Sequence, residues 1–144
     1  MRILSVDYGD ARTGVAVCDK DEILASPVCV IAERDRDRLA QKLAGIAAQQ
    51  QVGRIVVGEP RNMDGSEGIR AQACRAFAAL LAEQTGLPVD TYDERLTTVM
   101  AHNALSGTNV RGKKRKAVVD AVSAVMILED YMAYRKNTAK NSEE

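Results

Sequence analysis

A chain of 144 residues, 46% hydrophobic and 28% charged, has the size of one ordinary domain and excludes two. Twenty basic residues balance twenty acidic ones, so a polyanion could be met only at a local cluster. A lone histidine, His102, and three cysteines without metal-ligand spacing argue against a zinc site and against histidine-based acid–base catalysis.

Cys18, Cys29 and Cys74 read as reduced, buried thiols, which places the chain in the cytoplasm. No signal-peptide pattern opens the sequence, and no apolar run reaches the roughly eighteen residues of a membrane span.

In chain order, residues 2–8, 13–19 and 23–31 are three β-rich runs separated by short turns, as in an antiparallel meander. Pro27 sends the third to an edge or breaks it. Residues 35–50 carry Leu39, Leu43 and Ile46 on one helical face, with Asp35 as N-cap and Gly53 ending the unit. Residues 54–58 form an apolar run suited to a central parallel strand. A loop over 59–67 contains Pro60, Asn62, Asp64 and Gly65. A helix over 68–85 follows, with Ala73, Phe77, Leu80 and Leu81 on its face and Gly86 as C-cap. Residues 88–92 form a fifth strand, 96–106 a short helix and 107–113 a loop. A last helix over 114–134 buries Val118, Val122, Val125, Leu128 and Met132. The order predicts an α/β fold. Its mixed five-stranded sheet has three antiparallel strands, then alternating helix and strand, with helices on its faces. Residues 1–135 form a single domain and 136–144 a polar, flexible tail.

The acids of interest fall at element ends. Asp7 closes the first strand, Asp93 and Glu94 follow the last, and Asp120 sits among valines in the final helix. Converging carboxylates repel one another unless a divalent cation joins them. Oxygen-only ligands suit Mg²⁺ or Mn²⁺, which support phosphodiester hydrolysis without a histidine. Each acid also has a plainer reading. Asp7 can cap a turn with Gly9, Asp93 can cap the next helix, Glu94 can pair with Arg95 or Arg61, and Asp120 can pair with Lys116.

Four segments together resemble the YqgF/RuvX family. The run from Asp7 through Gly9, Arg12 and Gly14 to Val17 is similar to its first motif. Val57, Gly58, Glu59, Pro60, Arg61, Asn62, Met63, Asp64, Gly65 and Ser66 are similar to its central loop. Asp93, Glu94, Arg95, Leu96, Thr97 and Thr98 resemble the third motif, and Lys116 through Asp120 and Ala121 the last. The chain departs from the pattern at Glu59 and Arg61, where the family's loop carries aliphatic residues. The resemblance implies a ribonuclease H-like fold related to the resolvase RuvC. It implies a catalytic metal site of Asp7, Glu94 and Asp120 for Mg²⁺ or Mn²⁺, with Asp93 the other ligand to weigh. It implies a nuclease maturing the 5′ end of precursor 16S ribosomal RNA.

Other residues read as substrate contacts. Arg12 and Arg95 suit a phosphate clamp, or surface ion pairs. Arg111, Lys113, Lys114, Arg115 and Lys116 form a basic run that would hold a phosphate backbone without reading bases. Gly9 and Gly14 allow close phosphate approach or a tight hairpin. Tyr8 and Tyr92 are the candidate stacking platforms for unpaired bases. RNA is the expected partner, with structured DNA as the alternative if the chain is a Holliday junction resolvase, which would need a dimer. No apolar seam marks a dimer, so the chain is expected as a monomer or weak homodimer. Two further readings stand beside the nuclease: an actin–hexokinase type ATPase, for which a second lobe is missing, and a non-catalytic nucleic-acid-binding or regulatory protein.

Overall fold

The computed structural model describes residues 1–9, 11–59, 68–93 and 112–142, with the side chains of 93, 112–121 and 138–142 outside the description. Five strands, β1 (Ile3–Asp7), β2 (Thr13–Cys18), β3 (Ala25–Ile31), β4 (Arg54–Glu59) and β5 (Val89–Asp93), join three helices, α1 (Arg36–Gln50), α2 (Ile69–Thr85) and α3 (Gly112–Ser142). The sheet order is β3-β2-β1-β4-β5. β1 pairs antiparallel with β2, and β2 antiparallel with β3, whereas β1–β4 and β4–β5 are parallel. This is the mixed sheet that the strand order predicts. The helix expected over 96–106 lies outside the described residues.

Pro27 lies in edge strand β3, where its missing N–H costs no central ladder bond. The register slips there. Val15 faces Cys29 but Ala16 faces Pro27, so Val28 is the extra residue of a bulge.

Strand alternation divides the core in two. Leu4, Val6, Val15, Ile55 and Val57 face α1 and α2, where Leu39, Leu43, Cys74, Phe77 and Leu81 are buried against them. Ile3, Ala16 and Val56 face α3 through Ala124, Ile127, Leu128 and Tyr131. Phe77 is the largest fully buried side chain, and truncating it to alanine would cost about 3–5 kcal/mol.

Four details differ from the sequence reading, one being the α3 stripe, whose described buried residues are Ala124, Ile127, Leu128, Tyr131 and Met132, with Val122 and Val125 half-buried. α1 ends at Gln51, which takes the left-handed conformation (φ 56°) and donates its N–H to the last turn, so Gly53 is not the stop. Gly53 instead donates to the Arg2 carbonyl at 2.9 Å. The α2 stripe is Ala71, Cys74, Phe77, Ala78 and Leu81, with Ala73 and Leu80 at its half-buried margins. α3 starts at Gly112 and runs to Ser142, longer at both ends than the 114–134 expected of it. No Gly or Pro stands in 136–142 to stop it. Asp35 caps α1 as expected, its carboxylate accepting from the Arg38 N–H at 3.1 Å.

Candidate metal centre and nucleic-acid interface

β1, β4 and β5 are mutually parallel, so their carboxyl ends, Asp7, Glu59 and Asp93, arrive at the same end of the sheet. That is where open α/β sheets place their ligands. Register then separates the acids into two rows. Asp7 is directly opposite Gly14 of β2. The β1–β4 pairing runs from Ile3 opposite Arg54 to Val6 opposite Val57, and one step further it sets Asp7 beside Gly58. Asp7 is therefore half-buried between two glycines, in a stretch of sheet with no neighbouring Cβ. Gly14 and Gly58 are themselves buried. Gly9 is needed by the turn itself, because a Cβ there would lie 1.9 Å from the Arg12 carbonyl oxygen. Arg12 is half-buried in that turn and has no ion-pair partner among the described residues.

α3 covers the Asp7 face, and two contacts fix its direction. The buried Ser5 hydroxyl donates to the Ala124 carbonyl at 2.6 Å. Near the other end of the helix, Arg135 pairs at 3.0 Å with Glu22, which also meets the N-terminal amine at 3.6 Å. The helix thus runs antiparallel to β1. Residue 120 is one turn before Ala124, about 6 Å along the axis. Asp7 is two residues beyond Ser5, about 6.6 Å along the strand. The backbone at 120 consequently comes level with Asp7.

Asp93 ends β5 opposite Glu59. Its register row is the Glu59 row, whereas Tyr92 lies opposite Gly58 in the Asp7 row. Glu94, Arg95 and Arg111 lie outside the described residues, as do the side chains of Asp93, Asp120, Lys113, Lys114, Arg115 and Lys116. The backbone of 113–116 falls in the first turns of α3, whose first turn has no acid.

The opposite row is held by α2. Glu59 is 2% exposed and pairs with Arg75 at 2.9 Å. The Tyr8 ring stacks on Phe77 with centroids 4.3 Å apart and planes 4° from parallel. The Arg70 guanidinium lies over the Tyr8 ring at 5.3 Å and donates to the Tyr8 carbonyl. Tyr8 is thus committed to the core and to Arg70, and the expectation that it stacks on bases is withdrawn. Arg70 and Arg75 were not singled out from the sequence. Their signal was a pair of cations five positions apart in an alanine-rich helix.

Tyr92 is half-buried and touches two tyrosines of α3. Its ring centroid is 6.2 Å from that of Tyr131 and 6.2 Å from that of Tyr134. The Tyr131 hydroxyl donates to Asp90, which also receives Arg54 at 2.8 Å. Burial, reinforced by the neighbouring Asp90 carboxylate, raises the Tyr131 phenol above its ordinary pKa. Among the described residues, no helix is long and apolar enough to cross a membrane.

Comparison with known proteins gives the fold and the family. A protein of Agathobacter rectalis, provisionally named a pre-16S rRNA nuclease, is 41% identical over 141 residues, covering 96% of this chain and 99% of its own. A protein of Rhodopirellula baltica with the same provisional name is 43% identical over 131 residues, covering 91% of this chain and 76% of its own. Among solved structures, T. thermophilus RuvC in complex with a Holliday junction substrate superposes with a TM-score of 0.59 at 15% identity. The match covers 96% of this chain and 97% of that one. The fowlpox virus Holliday junction resolvase gives a TM-score of 0.56 at 11% identity, over 93% and 99% of the two chains. These likenesses show the ribonuclease H-like fold. Residues 1–134 match the RuvX family, described as Holliday junction resolvase, and the chain belongs to that family.

Proposed function

We propose that this chain is a cytoplasmic nuclease that hydrolyses phosphodiester bonds at the 5′ end of precursor 16S ribosomal RNA, using a divalent metal held by Asp7, Glu94 and Asp120. The observation that carries the reading is Asp7, between Gly14 and Gly58 at the carboxyl end of a parallel strand, with residue 120 of α3 at its level. The relatives' names supply the substrate.

The donor set fits Mg²⁺ or Mn²⁺, since Asp7, Glu94 and Asp120 are all hard oxygen ligands. When bound, the metal supplies a nucleophile at neutral pH and offsets charge on the leaving oxygen. The remaining work belongs to the chain. Asp7 orients the site from a rigid strand, half-buried between the two glycines. Arg12, without an ion-pair partner among the described residues, is available to clamp a phosphate oxygen, with Arg95 as its counterpart. The basic run from Arg111 to Lys116 holds the backbone on either side, independently of base identity. Asp93 shares the row of Glu59 rather than that of Asp7, which favours Glu94 as the ligand after β5.

The test is Mn²⁺-dependent cleavage of a labelled precursor leader beside a four-way DNA junction, with wild type and Asp7→Asn. Leader cleavage lost in the variant is the expected result. Because the family description names Holliday junction resolvase, the junction arm matters. Cleavage of the junction alone would transfer the activity to branched DNA. Cleavage of neither, or cleavage indifferent to Asp7, would overturn the nuclease reading.

A further inference from the structure

Three of the four tyrosines in this chain surround one cavity of about 470 Å³, lined by Asp90, Thr91, Tyr92, Tyr131 and Tyr134. Core packing does not account for all three rings. Tyr131 is buried and tied to Asp90, but Tyr134 is 56% exposed. An aromatic ring in water, tilted 60° against a second ring, forms one wall of an open cleft. Among the described residues β5 is the edge strand beside the cavity.

The position of this cleft matters as much as its lining. Tyr92 flanks Gly58 on one side and Asp7 flanks it on the other, in one row on the face covered by α3. The cleft therefore begins about two strand spacings, roughly 10 Å, from the Asp7 carboxylate. α3 carries Tyr134 about 21 Å along its axis from residue 120, so a nucleic-acid strand with one phosphate at Asp7 would bring a base a few nucleotides away to the tyrosines. Stacking on aromatic faces tolerates any base, since every base presents a π-face.

We infer that the Tyr92–Tyr131–Tyr134 cavity docks one unpaired nucleobase of a single-stranded substrate whose cleaved phosphate lies at Asp7. The inference rests on the nuclease reading for its partner and deepens it. Tyr134 is the stacking face that the base meets, and Tyr92 bounds the cavity on the side of the acid. Tyr131 is a support, its hydroxyl held by Asp90 and the Arg54 guanidinium set against the same carboxylate. A base stacked within a duplex does not reach the cleft, so the site selects single-stranded segments near the cleavage point.

The chain provides its own probe. It contains no tryptophan, and three of its four tyrosines line this cavity, so most of the emitting rings report on it. The full-length protein is titrated with an adenosine hexanucleotide RNA and with a duplex of equal length, in EDTA, following tyrosine emission and anisotropy of the labelled RNA. The single strand should quench the emission and the duplex should not. Tyr134→Leu should weaken single-strand binding roughly tenfold, and Tyr134→Phe should restore it. Equal affinity of Tyr134→Leu and wild type would overturn the proposal, as would equal quenching by the duplex. Binding without metal separates this outcome from the nuclease reading. Tyr134-dependent binding with no cleavage would sink the nuclease and keep the cavity. Cleavage with Tyr134-independent binding would do the reverse.

Discussion

The Ser5 hydroxyl donates to the main-chain carbonyl of Ala124 at 2.6 Å, in the buried layer between β1 and α3. This bond joins residues 119 positions apart and sets the height of α3 on the sheet. Ser5→Ala leaves the Ala124 carbonyl without that donor and should cost about 1 kcal/mol, or roughly 2–4 °C in melting temperature. Thermal denaturation checks the stability. If the bond also sets the height of residue 120, leader cleavage in the variant should fall more than the small loss of folded protein explains.

Asp7→Asn should abolish cleavage, by about a hundredfold or more, while leaving the melting temperature in EDTA near that of wild type. Adding Mn²⁺ should raise the melting temperature of wild type and not of the variant, because only a protein that binds the ion is stabilised by it. Glu94→Gln should behave as Asp7→Asn does and Asp93→Asn as wild type does. The opposite pattern would make Asp93 the ligand.

The Glu59–Arg75 pair should respond unevenly to mutation. Glu59 is buried, whereas the Arg75 side chain is 42% exposed and can turn to water. Arg75→Met leaves a buried carboxylate without this partner and should destabilise by roughly 3 kcal/mol. Glu59→Leu should cost far less, and the double variant should recover most of the loss. Urea melts of the four proteins close the cycle, and equal losses for the two single variants would refute this account.

Acid should unfold the protein partly through Asp19 and Glu33. The Ile23 and Leu24 N–H groups, at 2.7 and 3.1 Å, hold the Asp19 carboxyl below the usual carboxylate range. A hydrogen bond from Lys42 at 3.1 Å, then one from the Asp35 N–H, does the same for Glu33. A carboxyl lowered in the folded state stabilises it above the unfolded pKa, and that contribution disappears as pH falls through the folded value. Stability should therefore decline below about pH 4. Asp19→Asn should flatten that decline in melts recorded across the acid range.

Gln51 holds φ at 56° to end α1, a conformation that disfavours a side chain. Gln51→Gly should stabilise by about 0.5–1 kcal/mol, the strain relieved less the extra backbone entropy of glycine. A raised melting temperature checks it.

Much of this molecule was written locally. The five strands follow from short β-branched runs, the α1 start from Asp35, the α2 stop from Gly86, and the edge placement of β3 from Pro27. The stop of α1 was misread because a left-handed residue need not be glycine when its N–H finds two carbonyls of the last turn. Four short motifs in order carried the family. Local sequence could not say that Asp7 would stand between Gly14 and Gly58, since these partners come from strands paired in opposite senses. Nor could it assign Tyr8 to Phe77 and Arg70, or gather Tyr92, Tyr131 and Tyr134 round one cavity. Strand periodicity fixes which residues share a face. The register between strands, and the height at which a helix crosses them, arise only when the two core layers close against the sheet.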